Sequence, residues 1–325
     1  MKIKDLFEND NNSHIDIDKA ADLVLNSEYF KNNNYELRSD KKLQHGSDFL
    51  TNFSVKKIVD REKSKDTKTF LHDIVNKLSK SKFGVNIRNK LFATTDMTTA
   101  KAYGSYVYTV IPLNDYNLYY SDSFEDFFND QTTIIGTADL TRQLNKKIIE
   151  LVLNQSINDL HQFQKPKLSW RKFKKYIKQT IPPDSPSLND LTMEHKIGFQ
   201  LPVIDKILET YESNDKLYFT IVNTMVENIQ KMFSNDFDIE LSESQIHVIK
   251  NHINAITDEF IEYVKQKVIS NIKENYIDKI KVTKSIDDIP KYTEIMVDGD
   301  EALFIKEEYF YQLRQIIYNK KIEQG

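Results

Sequence analysis

Arg61, Thr94, Thr95, Tyr103 and Glu294 are the residues of this chain whose types and positions suit chemistry, each standing where an apolar-patterned stretch begins or ends. An arginine offers a planar fork for phosphate. Hydroxyls orient a sugar, an aromatic ring stacks a flat heterocycle, and a carboxylate stabilises a cationic transition state. Breaking the glycosidic bond of a dinucleotide needs those functions. Such cleavage passes through an oxocarbenium-like state, where a hydrogen bond to a sugar hydroxyl strengthens. The same residues also suit plainer work. The threonines can cap a helix, Tyr103 can pack, Arg61 can be a solvated charge in a Lys- and Glu-rich turn, and Glu294 can face solvent. Glu301 and Glu308 are alternative carboxylates near Glu294.

The elements that must position these residues can be read from periodicity. Leu91-Phe92-Ala93-Thr94-Thr95 reads as a buried strand, and Asp96 is placed to cap a following helix that stops at Gly104. Val55–Val59 and Tyr106–Pro112 read as further strands, with a helix over Thr69–Ser79 between them. Residues 1–50 are Asn- and Asp-rich and read as a peripheral, partly helical arm. Near the C-terminus Lys281-Val282, Glu294–Val297 and Ala302–Ile305 return to a β pattern, and Asp298-Gly299-Asp300 between the last two predicts a hairpin. A helix from about Glu307 to Lys321 closes the chain.

Between these β-rich parts the period is helical from about Thr137, broken by Ile181–Pro186. Ser242 with Gln245 forms a capping box, followed by a stripe of Ile246, Ile249, Ile253, Ile256, Phe260, Val264, Val268 and Ile272. The C-terminal strands need partners, and residues 55–112 hold the other strong ones. The expectation is therefore a helix-rich α+β protein with a split mixed β-sheet from residues 53–128 and 280–325, and a large all-helical insertion at 137–278.

Composition excludes several classes. The 325 residues are 39% hydrophobic, enough for a core, and the formal net charge of −4 makes the whole molecule a poor polyanion binder. The absence of Cys removes disulfides, thiolate metal sites and thiol nucleophiles. His247 and His252 lie too far round a helix to share a metal, and His195 has no second His at ligand spacing, so no metal site is expected. With seven Gly and neither GxSxG, GxxxxGK[ST] nor GxGxxG, hydrolase-elbow and nucleotide-loop readings fail. No stretch approaches the roughly 20 apolar residues of a membrane span. The expected location is cytoplasmic.

Leu91-Phe92-Ala93-Thr94-Thr95-Asp96, with Ala100 and Tyr103-Gly104 after it, resembles the strand-plus-helix core of ADP-ribosyltransferases. Val59–Thr67, His72, Phe83-Gly84, Arg88, the strand from Val107 to Leu113, Glu294-Ile295-Met296-Val297 and Tyr309-Phe310-Tyr311 extend the likeness to phage-encoded members of that superfamily. It spans about 53–128 and 280–311. The resemblance implies an ADP-ribosyltransferase-like fold and NAD as substrate, without a metal. Arg61 would hold a phosphate or ribose of NAD, Thr94 or Thr95 would shape the nicotinamide-ribose pocket, Tyr103 would stack near nicotinamide, and Glu294 would be the catalytic carboxylate. The acceptor would be a macromolecule of an infected host cell, with the protein in the host cytoplasm or the virion. Members that modify arginine carry Glu or Gln two residues before the catalytic Glu, where this chain has Tyr292.

A basic run stands apart from that set. Lys165, Lys167, Arg171, Lys172, Lys174, Lys175 and Lys178 alternate with Trp170, Phe173, Tyr176 and Ile177. On a helix this is a basic amphipathic segment. It suits contact with nucleic acid or an anionic partner through Trp170, Arg171, Lys172, Lys174 and Lys175, or equally a solvated lysine face with the aromatics packed inward. An interaction or virion protein using this block is the alternative to an enzyme.

Overall fold

The computed structural model describes residues 13–60, 69–124, 127, 130–136, isolated positions between 222 and 234, and 240–324. Arg61 and the basic run 165–178 lie outside the described residues.

In chain order the elements are β1 (Ser13–His14), α1 (Ile17–Asn26), α2 (Glu28–Asn32), β2 (Gln44–Ser47), β3 (Phe53–Lys57), α3 (Thr69–Phe83), β4 (Leu91–Thr94), α4 (Met97–Ala102), β5 (Tyr106–Pro112), β6 (Asn117–Ser121), α5 (Gln131–Ile135), α6 (Glu243–Asn275), β7 (Ile280–Thr283), β8 (Glu294–Asp298), β9 (Glu301–Lys306) and α7 (Phe310–Gln324). The protein is mixed α and β. The chain divides into two compact units, one of residues 1–131 and 273–325 and the other of Thr132–Ile272.

In the first unit the described strands form one sheet, ordered β1-β3-β9-β5-β2-β4-β8-β6-β7. Every pairing in it is antiparallel, which corrects the expectation of a mixed sheet. The hairpin expected at Asp298-Gly299-Asp300 is also absent. β8 pairs with β4 and β6, whereas β9 pairs with β3 and β5, so the chain crosses from one half of the sheet to the other at that point. Gly299 lacks the positive φ that a tight hairpin turn demands. What it supplies is room, since a Cβ there would come within 3.1 Å of the Tyr116 Cβ.

Residues 13–47 are not a peripheral arm. β2 lies inside the sheet between β5 and β4, and α1 packs on α7. Asp16 caps α1 by accepting from the Lys19 N–H at 2.8 Å. Ala20, Ala21 and Val24 on α1 are fully buried, in one cluster with Phe310, Leu313 and Ile317 of α7, with Leu43 just before β2, and with Val110, Ile295 and Ile305 of the sheet. Small residues at 20 and 21 let the helix approach closely. Central strands are buried along their length: β5 from Val107 to Pro112, with Thr109 as its one polar member there, and β9 from Ala302 to Ile305.

In the second unit, α6 starts at Glu243 directly after Ser242, as the capping signal suggests. Ile249, Ile253, Val264, Val268 and Ile272 of its stripe are buried. Among the described residues no helix is long and apolar enough to cross a membrane.

Candidate functional site

The helix over Met97–Ala102 forms for the reason its sequence gives. Asp96 accepts from the Thr99 N–H and Thr99 hydroxyl, both at 2.7 Å, and Thr94 Oγ1 accepts from the Asp96 N–H at 3.1 Å. Burial acts to raise the Asp96 carboxyl, and the Thr99 hydrogen bonds more than offset it, leaving it below the usual range. The helix does not stop by a left-handed glycine. Tyr103 is its C-cap, and Gly104 has ordinary φ. A Cβ on Gly104 would lie 2.3 Å from the Ser47 nitrogen, and one on Gly46 would lie 1.9 Å from the Ala100 carbonyl oxygen. Both glycines are needed because α4 rests backbone to backbone on β2.

That contact coincides with a split in the sheet. β2 pairs with β5 over Gln44–Ser47, but with β4 only at Gln44 and Thr94. Beyond that point the strands diverge, and the His45 side chain takes over. Its Nδ1 lies 2.8 Å from the Phe92 carbonyl oxygen. A carbonyl only accepts, so Nδ1 carries the proton.

Directly opposed residues share a sheet face, and the register therefore draws a polar row across four strands. Thr109 on β5 opposes Gln44, Gln44 opposes Thr94, and Thr94 opposes Glu294 on β8. Thr109, Gln44 and Thr94 are at most 4% exposed. One end of the row is tied to a carboxylate that is itself paired: Thr109 Oγ1 donates to Glu307 at 2.9 Å, and Glu307 also accepts from Lys42. At the other end is Glu294. Phe92 lies on this face too, and the Tyr103 ring stands 4.5 Å from it. Thr94, Glu294 and Tyr103 are thus brought to one face.

Thr95 points the other way. Its hydroxyl donates to the Pro290 carbonyl at 3.2 Å and accepts from the Thr293 N–H at 3.3 Å, pinning the segment that leads into β8. Within that segment Tyr292 is 60% exposed with φ at 61°, a conformation rarely adopted by a bulky residue. Glu301 begins β9, and Glu308 is bound to Lys306 at 2.7 Å with an exposed side chain. Neither belongs to the polar row.

Glu294 is closely held. Arg88 Nη1 donates to Oε1, and the Phe127 N–H donates to Oε2 at 2.5 Å. The side chains of Arg88 and Glu294 are 10% and 9% exposed. Burial alone would lower the Arg88 guanidinium, but the Glu294 charge and the Tyr276 side chain more than reverse that and hold it above its ordinary value. The guanidinium lies 4.5 Å from the Phe127 ring centroid. Asn76 on α3 sets the arginine in place by accepting from its N–H at 2.9 Å, while His72 and the Asn76 amide hold Asn89 at 2.8 and 2.7 Å. Beside Glu294 is a small cavity whose lining includes the aromatic rings of Tyr119, Phe124, Phe127 and Tyr276 together with Ile87 and Met296.

Sequence reasoning missed Gln44, His45, Gly46 and the role of Arg88. In a chain with seven Gly, a glycine inside a strand marks a close backbone approach. An arginine beside an apolar strand has to find a carboxylate. Among the described residues no group of three His, Asp or Glu side chains is placed to hold a metal ion. No family model, curated protein or solved structure matches the chain.

Proposed function

We propose that the chain is an NAD-dependent ADP-ribosyltransferase, acting on a macromolecular acceptor in a phage-infected cell, with Glu294 as its carboxylate. The observation that carries this reading is the row Gln44, Thr94 and Glu294 at the point where the sheet splits, with Tyr103 on the same face. A row of buried polar side chains with an aromatic ring beside it suits a ribose joined to a flat base. Glu294 accepts a hydrogen bond from a ribose hydroxyl, which strengthens as the ring becomes oxocarbenium-like. The bond from the anomeric carbon to nicotinamide breaks, and nicotinamide leaves with the electron pair. The acceptor then bonds to the anomeric carbon and loses its proton. Thr94 orients the strand ends, Tyr103 stacks on the base, and Arg61 takes a phosphate. Tyr292, exposed two residues before Glu294, offers no second carboxylate, so acceptors other than an arginine side chain fit better.

Incubation of the protein with labelled NAD and host lysate tests this. The reading expects label transfer and nicotinamide release that vanish in Glu294→Gln, and it fails if neither occurs or if the variant matches the parent.

A second reading is favoured by one observation, the engagement of both Glu294 oxygens by Arg88 and Phe127. In it the carboxylate is structural and the chain is an interaction or virion protein, binding nucleic acid or protein through Trp170, Arg171, Lys172, Lys174 and Lys175. It expects binding to fall steeply with salt and to be lost on replacing those cations, with Glu294→Gln silent.

A further inference from the structure

Phe127 and Tyr276 share a position in the chain as well as in space. The first unit ends its first segment at Gln131 and resumes at Lys273, so Phe127 lies on the stretch that leaves the unit and Tyr276 on the stretch that returns to it. Both converge on the Glu294–Arg88 pair. The Phe127 N–H occupies Oε2 of Glu294, its ring lies under the Arg88 guanidinium, and the Tyr276 ring meets the Phe127 ring edge-on at 4.7 Å. The Tyr276 side chain also hydrogen-bonds Arg88. Phe127 is 1% exposed, so this is a packed contact and not a surface one.

We propose that this contact is autoinhibitory: Phe127 and Tyr276 hold Glu294 closed, and displacement of the two chain crossings releases it. The proposal rests on the reading of Glu294 as the reactive carboxylate. With Arg88 on one oxygen and a backbone N–H on the other, Glu294 has neither oxygen turned to a ribose. Withdrawal of Phe127 would free Oε2, remove the ring beneath the guanidinium and open the aromatic cavity beside Glu294. Arg88 would remain to orient the carboxylate through Oε1. Because the chain enters and leaves the second unit at Gln131 and Lys273, an event that moves either crossing acts directly on the contact. The opening breaks the Phe127–Glu294 and Tyr276–Arg88 hydrogen bonds and the contacts of the Phe127 ring with Arg88 and Tyr276, and a binding event elsewhere in the chain has to supply that free energy.

Carboxyl labelling of the full chain, with a water-soluble carbodiimide and glycine ethyl ester read by peptide mass spectrometry, tests the contact independently of turnover. Glu308, whose side chain is exposed, serves as internal reference. In the wild type Glu294 is expected to label at least tenfold more slowly than Glu308. Phe127→Ala, and Tyr276→Leu, which removes the ring packed on Phe127, should each raise the Glu294 rate severalfold and leave Glu308 unchanged, with native circular dichroism. Tyr276→Leu keeps the test valid should Phe127→Ala fail to fold. Unchanged labelling of Glu294 in the folded variants, or rapid labelling in the wild type, overturns the proposal. Nicotinamide release assayed on the same samples separates the two ideas. Faster labelling with faster release supports both, whereas faster labelling with no release from any form leaves the closed contact standing and removes the catalytic reading.

Discussion

Thr94 and Glu294 oppose one another on adjacent antiparallel strands, although the sequence separates them by nearly two thirds of the chain. Their pairing joins the two segments of the first unit, 1–131 and 273–325, and places a largely covered carboxylate beside a buried hydroxyl. Around this one register contact the rest of the site is arranged, with Gln44 on the far side of Thr94 and Arg88 on Glu294.

The Arg88–Glu294 pair is nearly desolvated, so removing one partner leaves a buried charge alone. Arg88→Leu should destabilise the protein by about 3 kcal/mol or more in urea unfolding. Arg88→Leu with Glu294→Leu should recover most of that loss. A double-mutant cycle with a coupling energy near zero would show that the two side chains do not interact in solution.

Gly46 and Gly84 should respond differently to alanine. At Gly46 the new methyl collides with the Ala100 carbonyl, a backbone atom, and α4 must shift. The expected cost is about 2 kcal/mol or more, accompanied by loss of the Phe92–Tyr103 packing. Gly84 has φ of +80° and open space where a Cβ would go, so Gly84→Ala carries only left-handed strain of about 1 kcal/mol. Thermal unfolding of the two variants should rank them in that order.

Much of this was legible in the sequence, and the failures have physical causes. The strand at Leu91, the capped helix after Asp96 and the helices at Thr69 and Ser242 declared themselves through local periodicity and capping chemistry. β2 did not, because a short Gln-His-Gly-Ser strand has no apolar alternation and owes its place to the strands on either side. The false hairpin at Asp298-Gly299-Asp300 came from judging a turn by its residues when long-range pairing decided the path. Thr94, Tyr103 and Glu294 share a face, while Thr95 turns to the Pro290 carbonyl, a distinction that follows from the period-2 alternation of β4. The partner of Glu294 was hidden because Arg88 reaches it only after the chain has folded back.

Lys56 offers a test by pH. Its amine lies 3.0 Å from the Phe49 ring centroid, and burial pushes it down to about 8. The folded state therefore binds this proton less tightly than the unfolded chain, so the charged form opposes folding below about pH 8, and that burden is relieved as pH rises toward the ordinary lysine value of 10.5. Acylation of Lys56 should be half-maximal near pH 8, well below surface lysines. Lys56→Met should stabilise the protein at pH 7, with the gain shrinking as pH rises above 8. A Lys56 titration near 10.5 would show that the amine is solvated.

Loss of the Asp96 cap should be felt locally. Asp96→Ala removes the Oδ2 that accepts from both the Thr99 N–H and the Thr99 hydroxyl, and should cost about 1 kcal/mol. Because the Asp96 carboxyl sits below its ordinary value, that contribution is present above the unfolded value of 3.8 and is lost as pH falls through the lower folded value. Urea unfolding of the parent and the variant should therefore differ at pH 7 and converge in strong acid.

The role of Glu294 is tested most directly by nicotinamide released from NAD by the wild type, Phe127→Ala, and Phe127→Ala combined with Glu294→Gln. Release should rise in the single variant over the wild type and fall by about a hundredfold or more when Glu294 is also replaced. Equal release with and without the Glu294 carboxylate, or none from any of the three, would contradict a catalytic Glu294.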